Sequence, residues 1–257
     1  MTKIAVLVKH VPNRGGDPPE IGEEDFLLRR DQPEAGLDPS DEPGVEIAVQ
    51  LADAGGEVTV ISMGSDAALP ALWRALAMGA HDAILVSDVL LAGADVLTTA
   101  RVLAAALGDR GFDLIVAGAE STDAATGTMP MSLAALLGLP SVTFARHLAL
   151  NDSRLTIERQ TSNGYDVIEC ELPAVVGVTG AVAEPRYPSL RDTIRAKSKP
   201  VERLSLSDLG LTADDLRPAH VITSIDLAPE REPGDIIHDV DLGIDRIVEI
   251  LLEAKGP

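Results

Sequence analysis

Apolar and polar positions along the chain alternate between two periods, and they do so four times in a row. Residues 4–8 are an unbroken apolar run, Ile-Ala-Val-Leu-Val, the mark of a strand covered on both faces. After a long polar stretch over 12–43, a helix opens at Asp41 or Glu42, carries Val45, Val49 and Leu51, and stops at Gly55-Gly56. A strand over 58–63 follows, then a helix over 66–78 closed by Gly79, a strand over 83–86 and a helix over 94–107. A strand over 114–117 and a helix over 128–137, closed by Gly138, complete the series. Four strand–helix alternations predict an α/β fold: a doubly wound, mostly parallel sheet with right-handed crossovers.

The pattern then changes. Three strand runs come in quick succession, 142–150, 155–160 and 165–172, with turns at Asn151-Asp152 and Asn163-Gly164. Asn-Gly between alternating runs predicts a hairpin, so an antiparallel extension follows the α/β body. Residues 174–178 read as one more buried strand, leading into Glu184-Pro185-Arg186-Tyr187-Pro188-Ser189-Leu190 and a helix over 189–197. Beyond Pro200 the texture loosens, with Pro218, Pro229, Pro233 and many acids. A last helix over 240–252 places Val240, Ile244, Ile247, Val248 and Leu251 on one face. Two parts are expected: a body over 1–200, and a C-terminal arm over 201–257. The arm's helix buries its face either on its own domain or on a partner subunit.

Composition narrows the picture. The chain has 257 residues, enough for a full core, but only one Trp, two Tyr and three Phe. The core must therefore be Ala, Val, Leu and Ile, which suits close helix-on-sheet packing. A net charge of −20 argues against nucleic acid as a partner. The single cysteine, Cys170, rules out an internal disulfide or a Cys-x-x-Cys site, and its alternation with Ile168 and Leu172 predicts a buried, inert thiol. With no signal peptide before Lys3, and no apolar run near the roughly 18 residues of a membrane span, a soluble cytoplasmic protein is expected.

Ligands of open α/β sheets bind at the carboxyl ends of the strands, where the strand order reverses. Three segments reach that edge: Val8-Lys9-His10, Met63-Gly64-Ser65, and residues 118–128. The last has two glycines, several hydroxyls and a helix start, which favours anions. It is neither a Walker loop nor Gly-x-Gly-x-x-Gly. Either it binds phosphate, or Thr126 or Thr128 simply caps the helix. No catalytic set is visible. The histidines at 10, 81, 147, 220 and 238 lack metal-ligand spacing, and His147 reads as a half-buried strand side chain. Lys9 either meets an anion or caps the sheet edge.

Residues 186–203 hold six of the 21 Lys and Arg residues. Two prolines stiffen the loop ahead of them and hold Leu190 outward at small entropic cost. The basic helix behind it either takes a partner's carboxylates or balances local acid.

These segments resemble a known family. Leu172-Pro173-Ala174-Val175-Val176, Glu184 to Leu190 and Ala196-Lys197-Ser198-Lys199-Pro200 stand in the order and spacing found in β subunits of electron transfer flavoproteins, which include the FixA proteins. Val8-Lys9-His10-Val11-Pro12, Ala75-Leu76-Ala77-Met78-Gly79-Ala80 and Leu136-Leu137-Gly138-Leu139-Pro140 support the match. The resemblance implies an adenine-nucleotide α-hydrolase-like fold and a heterodimer with an α subunit that holds most of a redox-active FAD. It implies an electron carrier rather than an enzyme, fed by flavin dehydrogenases such as those of fatty-acid β-oxidation and drained by a membrane quinone oxidoreductase. Leu190 would anchor the dehydrogenases, framed by Arg186, Tyr187, Ile194 and Arg195. The family's β subunit also holds AMP, and by position that site falls on Leu7, Val8, Lys9, Asp38, Met63, Gly64, Gly118, Asp123, Thr126, Gly127, Thr128 and Met129.

The chain departs from the family at several of these places. Asp123 is kept, but the family's Asn-Gln-Thr side chains become Gly127, Thr128 and Met129. Asp38-Pro39-Ser40 stands where the family has Asn-Pro-Phe, and Gln160 replaces a glutamate that pairs with the α subunit. Bifurcating relatives carry a second FAD in place of AMP, so that group is the alternative ligand. A free-standing adenine-nucleotide-binding regulatory domain of the stress-protein kind is the alternative function; the extra hairpin layer, basic loop and terminal helix argue against it.

Overall fold

The computed structural model describes residues 1–12, 20–31, 34–53, 55–219, 221–226, 234 and 236–254. His220, Pro229, Pro233 and parts of the polar 12–43 stretch lie outside the described residues. The chain divides into two units, Met1–Ile222 and Thr223–Pro257.

The strands of the first unit are β1 (Lys3–Leu7), β2 (His10–Val11), β3 (Gly36–Leu37), β4 (Glu57–Met63), β5 (Asp82–Val86), β6 (Leu114–Gly118), β7 (Ser141–Asn151), β8 (Arg154–Thr161), β9 (Gly164–Glu171), β10 (Ala174–Val178) and β11 (Glu202–Leu204). Its helices are α1 (Glu42–Ala52), α2 (Leu69–Ala77), α3 (Val96–Leu107), α4 (Met129–Leu137) and α5 (Leu190–Lys197). Nine strands form one sheet in the order β11-β5-β4-β1-β6-β10-β7-β8-β9. Every pairing from β11 to β7 is parallel, and β8 and β9 extend the sheet as antiparallel hairpins. The predicted α/β architecture, with its mostly parallel sheet and antiparallel extension, is the observed one.

Strand periodicity divides the core between the two faces of the sheet. Ile4, Val6 and Val8 join Val45, Val49 and Leu72 on the α1–α2 side. Ala5 and Leu7 join Val102, Leu103 and Leu133 on the α3–α4 side. Strand β1 sits between β4 and β6, so the chain winds outward in both directions from it. The crevice this leaves lies above the carboxyl ends of β1, β4 and β6, where the three predicted edge segments are found.

Several elements differ from expectation. The helix predicted over 66–78 is split: a 3-10 turn, Asp66–Ala68, is capped by Ser65, and α2 restarts with Pro70 in its first turn, where a missing N–H costs nothing. The polar stretch after β1 contains a two-stranded pairing of β2 with β3. The compact unit also runs past residue 200. Strand β11 adds to the edge of β5, and Leu204, Leu206, Leu209, Leu211 and Leu216 pack on the α3–α4 core. These leucines are widely spaced among polar residues, so no periodicity shows them. His147 is exposed beside a bulge in β7, and Cys170 is half-buried, with burial pushing its thiol up.

In the second unit, α6 (Val240–Ala254) runs slightly past the predicted 240–252 and is otherwise the expected amphipathic helix. None of its residues is buried, and Ile247 and Leu251 are each more than half exposed. Among the described residues no helix is long and apolar enough to cross a membrane.

Candidate functional site

The site starts where β1 ends. The Lys9 N–H donates to Asp41 Oδ2 at 2.7 Å, and the Lys9 carbonyl accepts from the Asp38 N–H at 2.9 Å. Asp38 is fully buried; its Oδ1 accepts from the Ser40 N–H at 2.9 Å and its Oδ2 from the Thr122 N–H at 2.8 Å. One carboxylate therefore ties the loop after β6 to the segment before α1. Asp41 stands at the N-cap position of α1 but makes no side-chain cap; its carboxyl turns inward instead. Burial pushes the Asp41 carboxyl up, the charge of Asp38 adds to this, and backbone donation from Lys9 and Gly118 only partly offsets them, leaving it at about 8. Gly118 is required here: a Cβ at that position would sit 2.6 Å from Asp41 Oδ1 and 3.2 Å from the Ser40 carbonyl oxygen.

Above this base lies a cluster of charges. Lys9 Nζ donates to Asp123 Oδ1 at 2.6 Å and to Ser121 Oγ at 3.1 Å. Arg30 donates to Asp123 Oδ2 through Nε at 2.8 Å and pairs through Nη2 at 2.6 Å. Burial pushes the Asp123 carboxyl up, but Lys9 and Arg30 outweigh it and hold the group below its ordinary value. Ala125 and Gly127 take left-handed backbone conformations, and the loop ends at Thr128. Neither threonine caps α4. Thr126 is exposed, and Thr128, at the N-cap, has a buried Oγ1 without a hydrogen-bond partner. Among the described residues no side chain caps the start of α4, where the N–H groups of a first turn favour anions, although Pro130 contributes none.

The structure brings Lys9, Asp38, Gly118 and Asp123 together, with Gly127, Thr128 and Met129 at the start of α4. Leu7 and Val8 are core residues, and the Val8 N–H is taken by the Ile61 carbonyl. Met63 and Met129 are partly buried on the α3–α4 side, and the Gly64 N–H closes onto the Val86 carbonyl. Arg30 and Asp41 were missed by sequence reasoning, and Ser121 and Thr122 were read only as part of the 118–128 loop. Arg30 sits in a stretch without periodicity, and Asp41 reads as an ordinary helix cap. Among the described residues no cluster of His, Cys, Asp and Glu could hold a metal.

A second feature is anchored near the middle of α1, at Glu46. The guanidinium of Arg186 is held by Glu46, so it pins the root of the 184–190 loop to the body. Tyr187 lies over Arg74, its ring centroid 6.0 Å from the guanidinium carbon. Ser189 caps α5 by accepting from the Asp192 N–H. Ala196 is buried, and Lys199 Nζ donates to the carbonyls of Ala80 and His81. On this anchored frame Tyr187 is 90% exposed, Leu190 78% and Ile194 64%, with Arg195 beside them in solvent. Apolar side chains held this far out on a fixed frame suit capture by another protein.

Comparison with known proteins shows the family. The family model described as electron transfer flavoprotein domain matches residues 25–209. A protein of Mycobacterium tuberculosis named electron transfer flavoprotein subunit beta is 35% identical over 265 residues, covering 99% of each chain. Proteins of the same name from Mycobacterium leprae and Megasphaera elsdenii are 36% and 31% identical; the first covers 99% of each chain, and the second 98% of this chain and 97% of its own. By these matches this chain belongs to the electron transfer flavoprotein β-subunit family.

Proposed function

We propose that this chain pairs with an α subunit to form a cytoplasmic electron transfer flavoprotein, which takes electrons from flavin-dependent dehydrogenases, acyl-CoA dehydrogenases among them, and delivers them to a quinone oxidoreductase. The observation that carries this reading is Leu190, exposed on a loop whose root is fixed by Arg186 and Glu46. A preordered apolar anchor loses little entropy on docking, which an electron carrier with several partners needs. FAD, held mainly by the α subunit, supplies the redox chemistry when bound. This chain's part is to shield that cofactor and present the docking loop. Phe144, Tyr165 and Val167, exposed on the hairpin extension, and the apolar face of α6 offer surface for the α subunit.

At the sheet edge the residues fit an adenine mononucleotide such as AMP. Lys9 supplies positive charge, Thr128 an unpartnered hydroxyl, and Gly127 to Met129 a helix start open to phosphate. Asp38 and Gly118 hold the loop in place beneath them. The binding is structural, and no bond chemistry is assigned to these groups.

Co-expression with a candidate α subunit, followed by denaturation and chromatography of released nucleotides, tests the reading. One FAD and one AMP per heterodimer is the expected result. Two FAD would instead make the protein a bifurcating carrier. Absence of any complex would favour a free-standing nucleotide-binding domain. Expressed alone, the chain should be colourless.

A further inference from the structure

Asp123 has more positive charge around it than one carboxylate needs. Lys9 and Arg30 both point at it, leaving the trio with a net charge of +1. The two cations are within reach of solvent, with side chains 36% and 38% exposed, whereas Asp123 is 5% exposed. Arg30 carries five N–H donors, and Asp123 engages only Nε and Nη2. Donors therefore remain for a second anion on the open side of the pair. In a chain of net charge −20 an incoming phosphate meets repulsion from the whole molecule, so a local surplus of cations has a purpose.

Arg30 is also held in place before any ligand arrives. The 20–31 segment closes on itself through an Ile21–Leu28 bridge and a Gly22–Leu27 hydrogen bond. Arg29 grips Asp25 through both terminal nitrogens. Leu27 lies 3.4 Å from where a Cβ on Gly93 would be, beyond the end of β5. The segment thus crosses the carboxyl edge from the loop after β5 to the loop after β6.

We propose that Arg30 is a phosphate-binding residue, delivered across the sheet edge by the 20–31 segment, which acts with Lys9 to select phosphorylated adenosine over the free nucleoside. The proposal rests on the nucleotide reading of this edge. It differs from a purely structural latch, in which Arg30 serves only Asp123.

The test is calorimetric titration of the nucleotide-stripped heterodimer with AMP and, separately, with adenosine, for the wild type, Arg30→Gln and Arg30→Lys. Arg30→Gln should weaken AMP by about 10- to 100-fold, the range for losing a charge-assisted bidentate contact, while adenosine changes by less than about 2-fold. Arg30→Lys should recover part of the AMP affinity, and added salt should weaken AMP less in Arg30→Gln than in the wild type. Equal weakening of AMP and adenosine, or unchanged AMP binding, would overturn the proposal and leave the nucleotide site standing. Failure of the wild type to bind either ligand would overturn the nucleotide reading and the proposal with it.

Discussion

Arg186 holds Glu46 across 140 positions of sequence, Nε donating to Oε2 at 2.7 Å, Nη2 to Oε1 at 2.9 Å and the backbone N–H to Oε2 at 3.2 Å. The Glu46 side chain is 4% exposed, and among the described residues Gln50 is its one other hydrogen-bond donor. Removing Arg186 leaves a buried carboxylate nearly unpaired. Because Arg186 itself is 43% exposed, the cost is reduced by solvent, and Arg186→Ala should destabilise the chain by about 1–3 kcal/mol. Urea unfolding followed by circular dichroism measures this, with Arg191→Ala as an exposed control expected within about 0.5 kcal/mol of wild type. If the two variants unfold together, Arg186 does not anchor the loop.

The Asp41 carboxyl predicts a loss of stability as pH rises toward about 8. Its folded value of about 8 lies above the ordinary 3.8, so the folded state holds the proton more tightly than the unfolded chain. The associated stability is complete below the ordinary value and is lost as pH rises through the folded one. Wild-type urea midpoints should fall from about pH 5 to about pH 8 and level off above it. In Asp41→Asn that slope should flatten, whatever the change in baseline. An unchanged slope would assign the loss to other groups.

Gly118→Ala should be far more damaging than an alanine in a strand usually is. The new methyl meets Asp41 Oδ1 at 2.6 Å and the Ser40 carbonyl, neither of which is the free end of a flexible chain. A cost of about 1–3 kcal/mol follows for such overpacking, together with weakened nucleotide retention, since the loop carrying Asp123 must shift. Wild-type stability with full nucleotide content would show that the edge can relax.

Leu190→Ala should leave stability and flavin content unchanged, because the side chain is 78% exposed. Loss of a buried leucine contact in a docked complex amounts to about 1.5–3 kcal/mol, or roughly 10- to 100-fold in kcat/KM for reduction by a partner dehydrogenase. Parallel loss of flavin would make the residue structural instead.

The terminal helix gives a separable prediction. Ile247→Asp with Leu251→Asp places two charges on a face already in solvent within its own unit. The first unit should unfold as before, whereas co-purification with the α subunit should fail. Normal heterodimer yield would show that this face is not the contact.

Much of this protein was legible in its pattern of residues alone. Periods of two and of about 3.6 arise locally, so the four strand–helix alternations, the hairpins after Asn151-Asp152 and Asn163-Gly164, and the amphipathic last helix all appeared without a structure. Leu190 could be placed outside because two prolines constrain the backbone near it. Tertiary structure decided what depends on long-range meetings. Arg186 reads as a free cation until Glu46 arrives from α1, and Asp41 reads as a helix cap until Lys9 and Gly118 close over it. Strand β11 was invisible because three residues of an edge strand need only a neighbour's open hydrogen bonds, not a hydrophobic stripe. Arg30 was hidden for the same reason: nothing in the polar stretch that carries it marks a charge whose partner lies 93 positions away. Local periodicity specifies elements, but a charge acquires its role only when folding removes it from water and chooses its partner.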